Sequence, residues 1–191
     1  MPTTSYWSAS ATTPMFPQLT TDLVVDVAVI GGGSTGATAA YLIKRAGLSV
    51  ALLERDRCAT ADTAHTTAHL TQVTDNRLGD LVSSFGRDHA QAAWDAGAAA
   101  IDEIEAIVRE ENISCHFSRV PGFLHGSIVE DGNERESLRV EAELACELGF
   151  HAEYVNAVPL FGRPGVRFAN QARIHPLRYL CLLYTSPSPR D

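Results

Sequence analysis

The order of apolar and polar positions predicts a strand, a helix and a second strand near the start of the chain. Residues 23–30 (LVVDVAVI) and 48–53 (LSVALL) are short apolar runs rich in β-branched residues, the pattern of buried parallel strands. Residues 37–46 between them have helical spacing, and Gly47 follows at the position of a helix C-cap. Together these three segments span about 30 residues and predict a βαβ unit.

Further periodic segments follow. Helical spacing recurs in three of them, residues 77–85, 87–111 and 134–148. Strand character is found in residues 117–129, as a strand or hairpin, and in residues 150–155. Residues 158–172 contain two prolines and two glycines and predict a loop.

The first 22 residues have neither helical nor strand periodicity and are rich in Thr, Ser and Pro. A poorly ordered terminus is one interpretation. The aromatic residues Tyr6, Trp7 and Phe16 favour the other, an arm that packs on the body of the protein.

Composition and charge exclude several classes of function. The 191 residues have a formal net charge of −8 and no basic cluster, which argues against nucleic-acid binding. No apolar run approaches the roughly 20 residues of a membrane helix, so we expect no membrane span. The cysteines lack C-x-x-C spacing and predict neither a metal site nor a disulfide framework; they are Cys58, Cys115, Cys146 and Cys181. A reducing cytoplasm is the expected location.

The last eleven residues differ in character from the rest of the chain. Residues 181–191 (CLLYTSPSPRD) match an in-frame translation of a common transposon-based sequencing-library adapter. A natural Pro-rich tail is the alternative. We expect these residues to be foreign, the native sequence to stop near Leu180, and Cys181 not to be a native cysteine.

A glycine motif joins the first strand to the first helix. Gly31, Gly33 and Gly36 form G-x-G-x-x-G, and this context makes the motif a strong indication of a dinucleotide site. The first glycine allows the tight turn, the second allows close approach of a pyrophosphate, and the third allows close helix–strand packing. Ser34 and Thr35 can offer N–H groups or hydroxyls to the phosphates at the helix N-terminus.

An acidic residue ends the second strand. Glu54 lies 21 residues after Gly33, where a carboxylate can accept hydrogen bonds from both hydroxyls of an adenosine ribose. Arg55 could border the adenine, although a surface arginine is an equal alternative. Spacing alone leaves FAD and NAD open.

The string from residue 25 to residue 56 resembles the N-terminus of the D-amino-acid oxidase/glycine oxidase/sarcosine oxidase superfamily. The resemblance implies FAD as the cofactor, with Glu54 on its ribose. It is strongest to a branch with a Trp- and Pro-containing arm and three further segments, here TTAHLT (residues 66–71), RVPGFL (residues 119–124) and QARIHPLRYL (residues 171–180). Many members of that branch carry a C-terminal Rieske [2Fe–2S] domain, whose Cys and His motifs are absent here, so such a cluster would lie in a missing C-terminal part.

The same resemblance implies a second turn near the pyrophosphate and flavin, at residues 63–71. Thr66 and Thr67 are the expected contacts, although the family's usual small-residue glycine pattern is replaced by residues 61–64 (ADTA). Some relatives attach FAD covalently near this turn. His65 is therefore a candidate either for covalent attachment or for a noncovalent contact.

The expected fold class is α/β, a Rossmann-like FAD-binding βαβ domain with the beginning of a second α+β substrate domain, truncated. The expected divisions are an arm (1–22), the FAD-binding part (23–115), a partial substrate domain (116–180) and the foreign tail (181–191).

The expected function is the FAD-binding portion of a flavin-dependent oxidoreductase acting on a small molecule. The parent would oxidise an amine or amino acid C–N bond or pass electrons to an iron–sulfur centre. The alternatives are an NAD(P)-binding oxidoreductase and an inactive truncated fragment. Arg119, His125 and His175 each have an ordinary structural explanation, so no catalytic residue is assigned.

Overall fold

The computed structural model describes residues 4–127 and 134–185. Residues 1–3 of the arm, residues 128–129 of the predicted strand or hairpin, and residues 186–191 of the expected foreign tail lie outside this description. The described part divides into two compact units, each considered separately below.

The first unit, called the βαβ unit, contains the described residues of Met1–Ala68, Ile107–Phe117 and Ile174–Asp191. Its elements are α1 (Tyr6–Ser10), β1 (Val27–Ile30), α2 (Ser34–Arg45), β2 (Val50–Leu53), a 3₁₀ turn (Asp62–His65) and α6 (Pro176–Thr185). The second, called the antiparallel unit, contains the described residues of His69–Ala106 and Ser118–Arg173. Its elements are β3 (His69–Leu70), α3 (Leu78–Phe85), most of α4 (Arg87–Glu110), β4 (Ser118–His125), α5 (Glu134–Glu147), β5 (Ala152–Val155) and β6 (Gly165–Arg173).

The predicted βαβ unit is present. Strands β1 and β2 pair in parallel, with Val27 opposite Val50 and Ile30 opposite Leu53. Helix α2 begins at Ser34, three residues earlier than its periodicity predicts, because Gly33 is extended and serves as the N-cap. The glycine loop therefore leads directly into the first turn of α2, at the edge of the sheet where β2 also ends.

The antiparallel unit has a sheet in which β6 pairs with β3, β4 and β5. Residues from its helices and from β6 form one buried apolar cluster: Leu78, Ala90, Trp94, Leu138, Ala142, Ala145, Leu148, Val166 and Phe168. The buried Glu141 of α5 accepts hydrogen bonds from the N–H groups of Leu78 (2.6 Å) and Gly79 (3.3 Å), and so satisfies the first turn of α3.

One expected element is wrong. Residues 158–172 were predicted to form a loop, but Gly165–Arg173 is the strand that the other three strands of the sheet contact. Its prolines and glycines are confined to the start of the segment, and Gly165 is needed there because a Cβ would overlap the Leu124 carbonyl. Strand pairing, which local composition does not show, decides the conformation of the rest.

A second difference concerns the end of the chain. Residues 181–191 show no pattern that predicts a continued helix, yet α6 runs without interruption through Thr185. The foreign origin of these residues stays a prediction, since a helix started by the preceding residues can continue through any sequence without Pro or Gly.

Two more observations bear on the expectations. The compact units place residues 69–106 with the antiparallel unit and residues 174–180 with the βαβ unit, unlike the expected division at residue 115.

Within residues 4–127 and 134–185, no helix combines the length and apolarity that crossing a bilayer requires.

Candidate functional site

The glycine loop between β1 and α2 has the geometry that its sequence predicts. Gly31 has a positive φ of 104°, and its N–H donates to the Leu53 carbonyl at 2.7 Å. A Cβ added at Gly36 would overlap the Gly31 carbonyl oxygen, so α2 can approach β1 this closely only with glycine there. A Cβ at Gly33 would meet only the Thr63 hydroxyl, at 3.3 Å.

The N-terminus of α2 is open to an anion. Its N-cap, Gly33, has no side chain to satisfy the first N–H groups, and Ser34 and Thr35 are exposed. The Ser34 N–H donates a long hydrogen bond of 3.3 Å to the Thr63 hydroxyl oxygen. Because that oxygen lies where a phosphate oxygen would be attracted by the helix dipole, Thr63 belongs to the candidate site.

Glu54 meets the same loop from the end of β2. One carboxylate oxygen accepts from the Gly32 N–H at 2.7 Å, and the other accepts from the Asp56 N–H at 3.1 Å. These two backbone hydrogen bonds, that from Gly32 first, lower the pKa of Glu54. The side chain is therefore a carboxylate at neutral pH, able to accept further hydrogen bonds.

The structure does not place Arg55 against the loop. Its side chain is 91% exposed and contacts Asp56 at 3.3 Å, so the predicted contact with adenine stays a prediction.

The predicted contacts of the next turn with FAD stay predictions. His65, Thr66 and Thr67 are exposed, and the Thr66 hydroxyl accepts from the Ala68 N–H at 3.2 Å. Thr63 is the threonine whose hydroxyl contacts the N-terminus of α2, and it was not among the residues predicted from the sequence. Its position within residues 61–64, where the chain departs from the family pattern, could have indicated it.

Gly32 is enclosed by further contacts that the motif alone does not reveal. Its carbonyl accepts from the Ala59 N–H at 2.9 Å and from the Tyr184 hydroxyl. A Cβ at Gly32 would lie 2.8 Å from the Cys58 sulfur. Burial raises the pKa of the Cys58 thiol, which argues against a reactive thiolate beside the loop.

A cavity of about 750 Å³ borders this loop within the βαβ unit. Its wall includes arm residues 14–19, Tyr41 of α2, Glu54 at the end of β2, and Cys58. A volume of this size is in the range of small-molecule and cofactor sites.

Outside the loop, the three side chains considered earlier as catalytic candidates all make structural contacts. In the antiparallel unit, Arg119 binds Glu105 (2.6 Å) and Asp102 (2.5 Å), and the His125 ring lies 4.8 Å from that of Phe161. In the βαβ unit, His175 is buried and lies 3.0 Å from the Ser10 hydroxyl. No described contact gives any of them a catalytic role.

Comparison with known proteins identifies the class. Residues 26–186 match the DAO family, described as FAD dependent oxidoreductase. The chain therefore belongs to this family of FAD-dependent oxidoreductases, as its glycine loop and Glu54 indicate.

Particular relatives cover most of this chain but only part of their own length. Over 178 residues it is 34% identical to the putative Rieske 2Fe-2S iron-sulfur protein YhfW of Bacillus subtilis (strain 168), covering 92% of this chain and 34% of that protein. Glycine oxidase from Geobacillus kaustophilus has a TM-score of 0.63 at 12% identity, covering 83% of this chain and 43% of the enzyme. L-amino acid deaminase from Proteus vulgaris has a TM-score of 0.64 at 11% identity, covering 91% and 40%. The solved structures share the fold, and the chain spans under half of each relative.

Proposed function

We propose that the chain binds the ADP portion of FAD in the βαβ unit. The observation that supports this proposal is the hydrogen bond that the Gly32 N–H donates to the Glu54 carboxylate. It lies where the glycine loop leads into α2. The N-terminus of α2 thus presents N–H groups for a phosphate, and the adjacent Glu54 presents a carboxylate for a ribose. Membership of an FAD-dependent family favours FAD over NAD(P), which spacing left open.

The pyrophosphate would lie at the N-terminus of α2. Gly33 leaves room for it, and the N–H groups of Ser34 and Thr35 are directed to it by the helix. Since Thr63 shares the Ser34 N–H through a long hydrogen bond, a phosphate oxygen can replace or join that hydroxyl without disrupting the turn.

The ribose would be held by Glu54. Its lowered pKa keeps it ionised, so it accepts from two ribose hydroxyls. A 2′-phosphate would place a second negative charge beside this carboxylate, which disfavours NADP. The neighbouring cavity and Arg55 are then available to the adenine.

For the whole protein, we propose oxidation of a small molecule, either at an amine or amino acid C–N bond or with transfer of electrons to an iron–sulfur centre. Bound FAD supplies the two-electron acceptor for this chemistry. The similarity to YhfW, a relative named as a Rieske iron–sulfur protein, supports the iron–sulfur alternative. Within the described residues, no group of three or more His, Cys, Asp or Glu side chains could hold a metal ion, so we place any such cluster outside them.

Turnover by these 191 residues alone is not part of the proposal. Arg119, His125 and His175 are engaged in structural contacts, and the solved relatives are more than twice as long as the part that matches. We therefore propose cofactor binding for this chain and assign no substrate-orienting group among the described residues.

The test is equilibrium titration of the chain with FAD, AMP, NAD and NADP, with Glu54→Gln and Asp56→Asn as a matched pair. We expect FAD and AMP to bind, and Glu54→Gln to weaken both about 10- to 100-fold through loss of a charged acceptor. Asp56→Asn removes a charge that is 72% exposed and should change affinity less than about twofold.

Stronger binding of NAD than of FAD would overturn the proposal, as would equal effects of the two substitutions. Acid precipitation of the FAD complex tests His65 in the same preparation. Release of all flavin to the supernatant is expected for noncovalent binding, and flavin retained in the pellet would indicate covalent attachment.

A further inference from the structure

The N-terminal arm is fastened to the βαβ unit around one buried histidine. The Trp7 and His175 rings meet edge to face, with centroids 4.9 Å apart. The Ser10 hydroxyl lies 3.0 Å from His175 Nε2, and His175 is only 2% exposed. These contacts fix the position of α1, which at five residues is too short to be stable alone.

The hydrogen bonds of His175 also determine which of its two ring nitrogens carries the hydrogen. Its Nδ1 accepts from the Arg178 N–H at 3.3 Å, so in the neutral ring Nε2 carries the hydrogen and donates to Ser10. Burial first, and the nearby Arg178 charge second, lower the pKa of His175 and keep the ring neutral. The arm is thus docked on an uncharged imidazole at neutral pH.

From this anchor, Trp7 reaches the turn that follows β2. Its indole N–H donates to the Thr66 carbonyl at 2.8 Å, across 59 residues of sequence. The same end of this segment is fixed a second time, because the Ile174 N–H donates to the Ala68 carbonyl at 3.2 Å. The segment 62–68 is therefore fastened at its far end by two hydrogen bonds from distant parts of the chain.

The near end of that segment reaches the phosphate-binding helix. Thr63 accepts from the Ser34 N–H at 3.3 Å, and Ala64 is 1% exposed. Only two residues, Ala64 and His65, separate Thr63 from Thr66, and both belong to the same 3₁₀ turn. A shift of the Thr66 carbonyl is therefore transmitted to the hydroxyl at the N-terminus of α2.

We propose that Trp7 is a positioning residue for the pyrophosphate and flavin side of the FAD site. It acts through the Thr66 carbonyl and holds residues 63–67 against the N-terminus of α2. This inference rests on the proposed function. Among the described residues, no hydrogen bond or ring contact joins Trp7 to Glu54 on the adenosine side of the site, so we expect that side not to depend on Trp7.

The test compares Trp7→Phe, which keeps an aromatic ring but loses the indole N–H, with Tyr6→Phe, which loses an exposed hydroxyl on the same helix. In the 191-residue chain, we expect Trp7→Phe to weaken FAD binding about 3- to 10-fold, the size expected for one lost hydrogen bond. Adenosine binding should change less than about twofold, because adenosine lacks the phosphates and the flavin. Tyr6→Phe should leave both unchanged.

Two further measurements separate positioning from general destabilisation. The visible circular dichroism of bound flavin should decrease in Trp7→Phe, while the midpoint of thermal unfolding of the free chain changes little. Ser10→Ala, which removes the partner of His175, should reproduce the selective loss of FAD affinity.

The outcomes are distinct. Equal weakening of FAD and adenosine, or unchanged FAD binding in both Trp7→Phe and Ser10→Ala, overturns the inference while the proposed function stands. Failure of the unaltered chain to bind either ligand overturns the proposed function, and the inference with it.

Discussion

The two units are stabilised in different ways. In the antiparallel unit, large side chains such as Trp94, Leu138 and Phe168 are at most 1% exposed and pack in one cluster. In the βαβ unit, the buried residues of α2 are only Ala37 and Ala40. The antiparallel unit therefore depends on one apolar cluster around Trp94. Helix α2 of the βαβ unit packs through small residues, and the large buried side chains of that unit lie elsewhere, at Ile107, Leu177 and Leu180.

The difference follows from what each unit must contact. A loop that approaches a pyrophosphate needs glycine at positions such as Gly33 and Gly36, because side chains there would occupy the ligand's space or separate α2 from β1. In the same unit, Ile30 at the end of β1 is 79% exposed. Parallel strands are normally covered on both faces, and a two-stranded sheet has little stability of its own.

The largest expected effect is on the antiparallel unit. Trp94→Ala removes a ring that packs against Phe150 and Phe168, with centroids 5.1 and 5.6 Å away, and an indole N–H bonded to Thr74. We expect the free energy of unfolding in urea to fall by about 3–5 kcal/mol. Val140→Ala on the exposed face of α5 should cost under about 0.5 kcal/mol. Similar losses for both variants would show that the cluster is not what stabilises this unit.

An intermediate effect is expected in the βαβ unit. Gly36→Ala forces a methyl group onto the Gly31 carbonyl, which should cost about 1–3 kcal/mol and weaken FAD binding more than tenfold. Gly79→Ala in α3 is the matched control, since its Cβ would meet only the Glu141 carboxylate, at 3.7 Å. There the gain in helix propensity should leave stability unchanged or raise it by up to about 1 kcal/mol. Urea unfolding and FAD titration measure both, and tolerance of alanine at Gly36 would contradict the close packing.

The smallest effect is expected from pH, through His175. Its pKa is lowered in the folded protein, so its contribution to stability is complete above the ordinary histidine value near 6.5 and is lost as pH falls through the lower folded value. The groups that face His175, Arg178 first and His116 second, act electrostatically against its protonation.

Amide hydrogen exchange over residues 5–12 measures this release of the arm. We expect protection to decrease as the pH falls from 7 through the lowered pKa of His175, after correction for the intrinsic exchange rate. His175→Gln should remove the change, whereas substitution of the exposed His89 should preserve it. Protection that is independent of pH in the unaltered chain would be inconsistent with docking on a neutral imidazole.

Sequence reasoning succeeded where local rules apply. The β-branched runs, the glycine spacing and Glu54 identified the βαβ unit and the candidate site, because a turn, a helix start and a strand end are all specified within a few residues. Helices α3, α4 and α5 were predicted within one or two residues of their observed ends. The same rules assigned residues 158–172 to a loop, since pairing of β6 with three other strands is a long-range property.

By itself, the sequence determined the dinucleotide loop and, through family resemblance, the cofactor class. Only the tertiary structure decided which threonine contacts the N-terminus of α2. That residue is Thr63, whereas sequence reasoning had chosen Thr66 and Thr67 as the candidates. It also decided that Trp7 and His175, 168 residues apart, form one contact. The physical reason is that hydrogen bonds between distant segments depend on how the chain folds back on itself, and no local periodicity records that path.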